Sequence, residues 1–296
     1  MRIKRFQHGA LILGLALLIL ACAVPIPTTE PLTVIEPVDE VQTVDMDGAE
    51  RAEVRLRMLA DTLNVQPAED VGLLRAHFHY NVAEWEPTIK QETEEQRTRV
   101  TINQGLGSQI QLGKSDEYLN TWDIGLRRHV PLDLGVDLGR GELQMALGGL
   151  SLTRLGITTG GADLSLSFNA PNPETMSTLR ITAGTGKCVA SDLGNANFDR
   201  LNITGGAGNI DLDFGGTWQR SALADIKAGA GRITLRAPAD LGVRVTFAST
   251  PLNTTDITGF TQQDDNVYVN AAYGQSPLTL TINLTTGVGA LTLISQ

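Results

Sequence analysis

One pattern dominates this chain: an aliphatic residue, two further residues, a glycine, a second small residue two places on, and then an alternating apolar pair. It reads V136-D-L-G139-R-G141-E-L143-Q-M145, and recurs as I157 to L166, I181 to A190, I203 to L212 and I226 to L235. A degenerate copy lies at V245 to L252, and a further one at L284 to L293. The second small positions, 141, 162, 186, 208 and 231, are 21, 24, 22 and 23 residues apart. Each unit holds two period-two runs around a tight turn and cannot bury its apolar face alone, so the copies must stack. The expectation is an all-β chain built on a single-chain β-solenoid, right-handed by the crossover rule. Leu143, Leu164, Cys188, Ile210, Ile233 and Leu291 should form one interior row, and Met145, Leu166, Ala190, Leu212, Leu235 and Leu293 the next. Glycine belongs at the corners, where neighbouring coils are only about 4.8 Å apart and positive φ is needed.

Other uses of such glycines fail on their neighbours. A phosphate-binding P-loop needs a glycine five residues before that of the Gly-Lys pair and a hydroxyl after the lysine. Here Gly186-Lys187 has Ile181 and Cys188 at those places. A calcium nonapeptide needs an aspartate where Ile210 stands and a period of nine. A dinucleotide fingerprint leads into a helix, whereas an alternating run follows here.

The first 21 residues put Arg2, Lys4 and Arg5 ahead of an apolar stretch ending in "ILAC", which reads as a lipoprotein signal peptide (1–21) with lipid attachment at Cys22. Its removal takes three of 23 basic and none of 33 acidic residues, leaving a net charge of −13. Such a surface argues against nucleic acid as a partner. With Cys22 acylated, Cys188 has no disulfide partner, and no zinc-ligand spacing exists. Residues 22–47, acidic and proline-containing without a sustained period, read as a tether. Residues 48–118 read as a small N-terminal β domain and 119–296 as the solenoid.

The combination of "YNVAEWEP" (80–87), "TWD" (121–123), "VPLDL" (130–134), the Gly-x-Gly coils, "GNANFDRLNI" (194–203) and "VNAAYG" (269–274) resembles the bacterial toast-rack family. That resemblance implies an extracytoplasmic β-solenoid behind a small β domain, used for sensing or interaction, with no established catalytic residues. Family members that regulate envelope stress typically carry several transmembrane helices. This chain shows only a lipid-anchor signal, which puts direct control of a kinase in doubt.

Stacking in register would align Glu142, Asp163, Lys187, Asn209 and Arg232 as one outward ladder, with Gln144, Ser165, Val189, Asp211 and Thr234 as the next. This mixed polar surface is the candidate ligand face, suited to an extended glycan or peptide. Arg127, Arg128 and His129 are the only basic cluster after the signal and a candidate anion contact; a solvated loop balancing Asp123 and Asp133 is the plainer reading. His77 and His79 would share one strand face, yet no acidic spacing nearby completes a metal site. Trp85, Trp122, Trp218, Tyr80, Tyr268 and Tyr273 could stack on sugars or pack the ends of the solenoid. Residues 251–274 interrupt the repeat and should shield or extend the last coils.

These residues favour a non-catalytic, membrane-anchored surface module, without cofactor or metal, that senses or binds a cell-wall glycan or an envelope protein. The alternatives are a structural or assembly spacer and a polysaccharide-active β-helix enzyme. For the last, Asp211, Asp213, Arg232 and Arg236 are the only candidates, and they look more like cross-coil neutralising pairs.

Overall fold

The computed structural model describes residues 32–105, 117–248 and 254–296, and Leu32–Gln296 is a compact unit of its own. The signal segment, Cys22, the run 108–113 and the second half of the degenerate copy lie outside the described residues. Among the described residues all regular structure is β apart from two short 3-10 turns, and the strands form a sheet not closed into a barrel.

The heart of the fold is a parallel stack of long strands. β2 (Arg51–Ala68), β7 (Leu132–Ala146), β8 (Leu152–Ser167), β9 (Met176–Ser191), β10 (Phe198–Asp213) and β11 (Ala222–Ala237) lie side by side in that order. Both expected interior rows are present. Leu143 pairs with Leu164, Leu164 with Cys188, Cys188 with Ile210, Ile210 with Ile233 and Ile233 with Leu291. The row from Met145 to Leu293 runs beside it in the same register. Two more rows fill the first half of each strand: Val54, Leu134, Leu155, Leu179, Leu201 and Ala224, and then Leu56, Val136, Ile157, Ile181, Ile203 and Ile226. All of these side chains are buried. Register is locked because a slip of one residue would turn every row outward.

In β7 to β11 the buried positions change parity at the glycines. β7 buries 134, 136 and 138 before them and 143 and 145 after; β8 buries 155, 157 and 159, then 162, 164 and 166. A Cβ on Gly184 would collide with the carbonyl oxygen of Gly160, and one on Gly231 with that of Gly208, so successive glycines lie backbone on backbone.

Two expectations need correction. First, the division at residue 118 has no counterpart in the sheet. Arg51–Ala68 is one strand, β2, which is the first layer of the stack and pairs with β7 from Ala52 to Val65. Asp61, opposite Gly141, takes φ +94 in place of a glycine, which is why the repeat is invisible there. On the other side of β2, its first half meets β5 (Arg97–Gln104) and its second half β6 (Asn120–Arg127). Between those partners Gln104 Oε1 accepts the Leu59 N–H at 2.7 Å and Asn120 Nδ2 donates to the Ala60 carbonyl at 3.0 Å.

Second, the tether contains a strand. β1 (Val34–Val44) pairs antiparallel with β3 (Leu74–Val82), which pairs with β6. Ile35 and Val38 pack against the core and Thr33 is bound to Glu84, so acidic and proline-rich composition concealed a sheet edge. β4 (Pro87–Glu94) forms a hairpin with β5.

The copies do not stack in chain order, in keeping with the expected row that runs from Ile233 to Leu291. β16 (Thr279–Ser295) lies against β11 on one side; on the other it meets β12 (Gly242–Phe247) with its first half and β13 (Thr254–Thr258) with its second. The final copy is thus inserted ahead of the degenerate one. The interruption extends the end as expected: β15 (Val267–Asn270) pairs antiparallel with β12, and β14 (Phe260–Asp264) with β15.

Turns between layers are held by buried asparagines. Asn172 Nδ2 donates to the carbonyls of Leu152 (2.9 Å) and Ala196 (3.1 Å), while its Oδ1 accepts the Leu152 N–H at 3.0 Å. Asn195 joins the carbonyl of Phe168 to the N–H of Thr217, and Asn270 joins the carbonyl of Leu241 to the N–H of Val243. These contacts satisfy backbone groups that the sheet ladder does not reach.

Candidate functional site

The second halves of β7 to β11 place the outward ladder where it was expected. Glu142 stands opposite Asp163, Asn209 opposite Lys187, and Gln144, Ser165, Val189, Asp211 and Thr234 follow one another across the strands. Two of its members also serve the stack. Asp163 Oδ1 accepts the backbone N–H of Lys187 at 2.8 Å, and Asn209 Oδ1 accepts that of Arg232 at 3.4 Å. Asp211 is held by both terminal nitrogens of Arg236, and Asp213 accepts the Gly215 N–H at 2.9 Å. The two carboxylates considered for an enzyme are therefore a cross-strand ion pair and a turn contact. Glu142, Lys187 and Arg232 present exposed side chains and give the ladder its free charge.

The basic cluster is distributed over loop contacts. Arg127 Nη1 donates to the Gly72 carbonyl at 2.9 Å; Arg128 contacts Glu69 at 2.8 Å and the Gly148 carbonyl at 3.1 Å. His129 takes φ +58 in the turn after β6. Neither arginine neutralises Asp123 or Asp133: Asp133 meets Arg55 and Arg154, and Asp123 accepts from Asn64.

The histidine pair gains partners that sequence spacing did not reveal. His77 Nε2 lies 2.8 Å from Asp39 Oδ1, His79 Nδ1 3.5 Å from Asp39 Oδ2, and His77 Nδ1 3.9 Å from Asp123 Oδ2. Asp39 comes from β1, inside the presumed tether, so only its strand pairing brings it there. The hydrogen bond from His77 holds the Asp39 carboxyl below its ordinary value, aided by the charges of both histidines and opposed by burial. Among the described residues no group of three or more His, Cys, Asp and Glu is placed to hold a metal. Burial pushes the Cys188 thiol up to about 12, which keeps it protonated and inert in its core row.

The aromatic residues pack pairwise, edge to face. Trp122 meets Phe78 at 5.2 Å, Trp218 meets Phe198 at 5.7 Å, Tyr268 meets Phe247 at 5.3 Å and Trp85 meets Tyr118 at 5.7 Å. Trp122 is fully buried, so it offers no platform for a sugar. Among the described residues no helix is long and apolar enough to cross a membrane.

No curated protein shows significant sequence similarity to the chain. Among solved structures, it is similar to a candidate cell adhesion protein of Clostridium sporogenes ATCC 15579, at 22% identity and TM-score 0.47 over 88% of this chain and 100% of that one. It is also similar to a candidate adhesin of Bacteroides fragilis NCTC 9343, at 10% identity and TM-score 0.34 over 88% of this chain and 97% of that one. The family model described as the N-terminal domain of toast_rack, DUF2154, matches residues 35–187 and 172–236, more than half of the sequence. The chain belongs to the toast_rack N-terminal domain family.

Proposed function

We propose that this protein is a non-catalytic, lipid-anchored module on the outer side of a bacterial membrane. Its parallel stack is a right-handed solenoid that turns at glycine corners, and one polar face of it binds an envelope glycan or a partner protein. The observation that carries the reading is the ladder from Glu142 to Arg232: polar side chains held in register over five strands, with the carboxylates beside them already committed to Arg236 and to backbone. Such a surface recognises a long, repetitive ligand by many weak contacts and offers no paired acid and base for bond cleavage. The parity change at each glycine supports the corner, because both arms of a strand then keep their apolar residues on the core. The acidic surplus and the basic, apolar, cysteine-ended leader support the extracytoplasmic, anchored placement.

The test is an array of glycans and cell-wall fragments probed with residues 32–296, beside a variant carrying Glu142→Ala, Lys187→Ala and Arg232→Ala. These three exposed side chains can be removed without touching the backbone contacts of Asp163 and Asn209. Binding lost in the variant supports the ladder as the ligand face. Absence of binding by the folded protein to every fragment moves the reading to a spacer.

A further inference from the structure

The first halves of the same strands carry a different face. On the outward positions of β8 to β12 stand Arg154, Arg180, Arg200, Lys227 and Arg244, one on each strand. In a chain of net charge −10, this face carries two carboxylates over those strands, and both are already taken. Asp225 binds Arg200 at 2.9 Å and Asn283 at 2.8 Å, and Asp199 binds Arg220 at 2.9 Å. On the adjoining strands acids are shared by several cations. Asp133 serves Arg55 and Arg154, while Glu53 serves Arg55, Arg97 and Arg99, at 2.9 to 3.6 Å.

Arg180 and Lys227 are exposed and meet no carboxylate among the described residues. Between them lies a groove of about 430 Å³, floored by Thr182, Asn202 and Thr204. Register places Thr182, Thr204 and Lys227 in one line and Arg180, Asn202 and Asp225 in the next. Two strand spacings and a two-residue offset separate the cations by about 12 Å of backbone. The groove therefore sets two unpaired positive charges around hydroxyl and amide groups, and the one carboxylate that lines it, Asp225, is already held by Arg200 and Asn283.

We propose that this groove binds a linear anionic glycan, a polymer whose carboxylates or phosphodiesters recur between hydroxyl-bearing units. The cations take successive anionic groups, and the threonines and Asn202 take the hydroxyls between them. A membrane surface fits less well, because interfacial binding combines basic residues with exposed large apolar ones. Among the described residues the exposed large hydrophobics, Val34, Val41, Leu119 and Val288, do not line this groove. Single-stranded nucleic acid fits less well too, since no aromatic residue stands among the outward positions of β8 to β12. The proposal rests on the reading of the protein as a binding module, but it uses another face of the sheet.

The experiment measures binding of residues 32–296 to fluorescent polygalacturonate and to poly(glycerol phosphate), with fully methyl-esterified polygalacturonate as the uncharged control. Vesicles containing phosphatidylglycerol form the fourth arm. The expected result is binding to at least one anionic polymer, tenfold or more weaker to the esterified one, and at least fivefold weaker in 300 mM than in 50 mM salt. Arg180→Glu with Lys227→Glu should weaken it a further tenfold or more at an unchanged melting temperature. The Glu142, Lys187 and Arg232 triple variant should stay within twofold of the parent. Absence of polymer binding, binding to vesicles alone, or equal loss in both variants overturns the proposal. Array binding that depends on the ladder would leave the module reading intact even then, so the two failures are distinguishable.

Discussion

At Gly231 there is no room for a methyl group. Its φ of +135 is one that L residues rarely adopt, and a Cβ there would strike the Gly208 carbonyl. Gly231→Ala should therefore cost about 3 kcal/mol or more, read as a lower urea midpoint. Gly156 sits in the same stack with nothing within reach of an added Cβ, and Gly156→Ala should be neutral or stabilising by up to about 1 kcal/mol. Sequence shows both as glycines in strands; only the neighbouring backbone separates them. The coil glycines were legible because they recur at one period, whereas Asp61 filled the same place without the signature. Asp39 is a further residue whose role depends on its neighbours. Its carboxyl is held below the ordinary value of 3.8, so its contribution is present above about pH 4 and lost as pH falls through the lower folded value. A side-chain NMR titration should show the Asp39 midpoint rise toward 3.8 in His77→Ala.

Among the elements, β1 carries the largest surprise. A chain beginning at Gly48 would lose β1 and leave β3, with its buried Phe78 and Tyr80, as an open sheet edge. Compared with residues 32–296, that chain should melt at a lower temperature and self-associate, as seen by scanning calorimetry and sedimentation. The turns make a similar point. Asn172→Ala removes four side-chain hydrogen bonds and should cost about 3 kcal/mol, again as a shift in the urea midpoint. The core rows of the stack could be read from sequence because period-two apolar patterning and the 22-residue repeat report the same face. The tether strand could not, since exposed edge strands are rich in charge and proline for reasons of solubility, and in composition they look like linkers. The outward ladder was visible as soon as the register was known. The basic face was not, because its cations are scattered singly over five strands and never form a run.

For the molecule as a whole, the position of β16 matters most. An ordinary solenoid adds each coil to the edge left by the one before it, so it grows from one end. Here β12 and β13 are made first and find a parallel partner only in β16, which must also cover β11. Until that strand has left the ribosome, the free edge of β11 and the hairpin of β14 and β15 have no strand between them to join them. Completion of the fold thus waits on the synthesis of β16. A product ending anywhere before Thr279 would stay open at this end, exposing Ile226 and Ile233 to proteolysis.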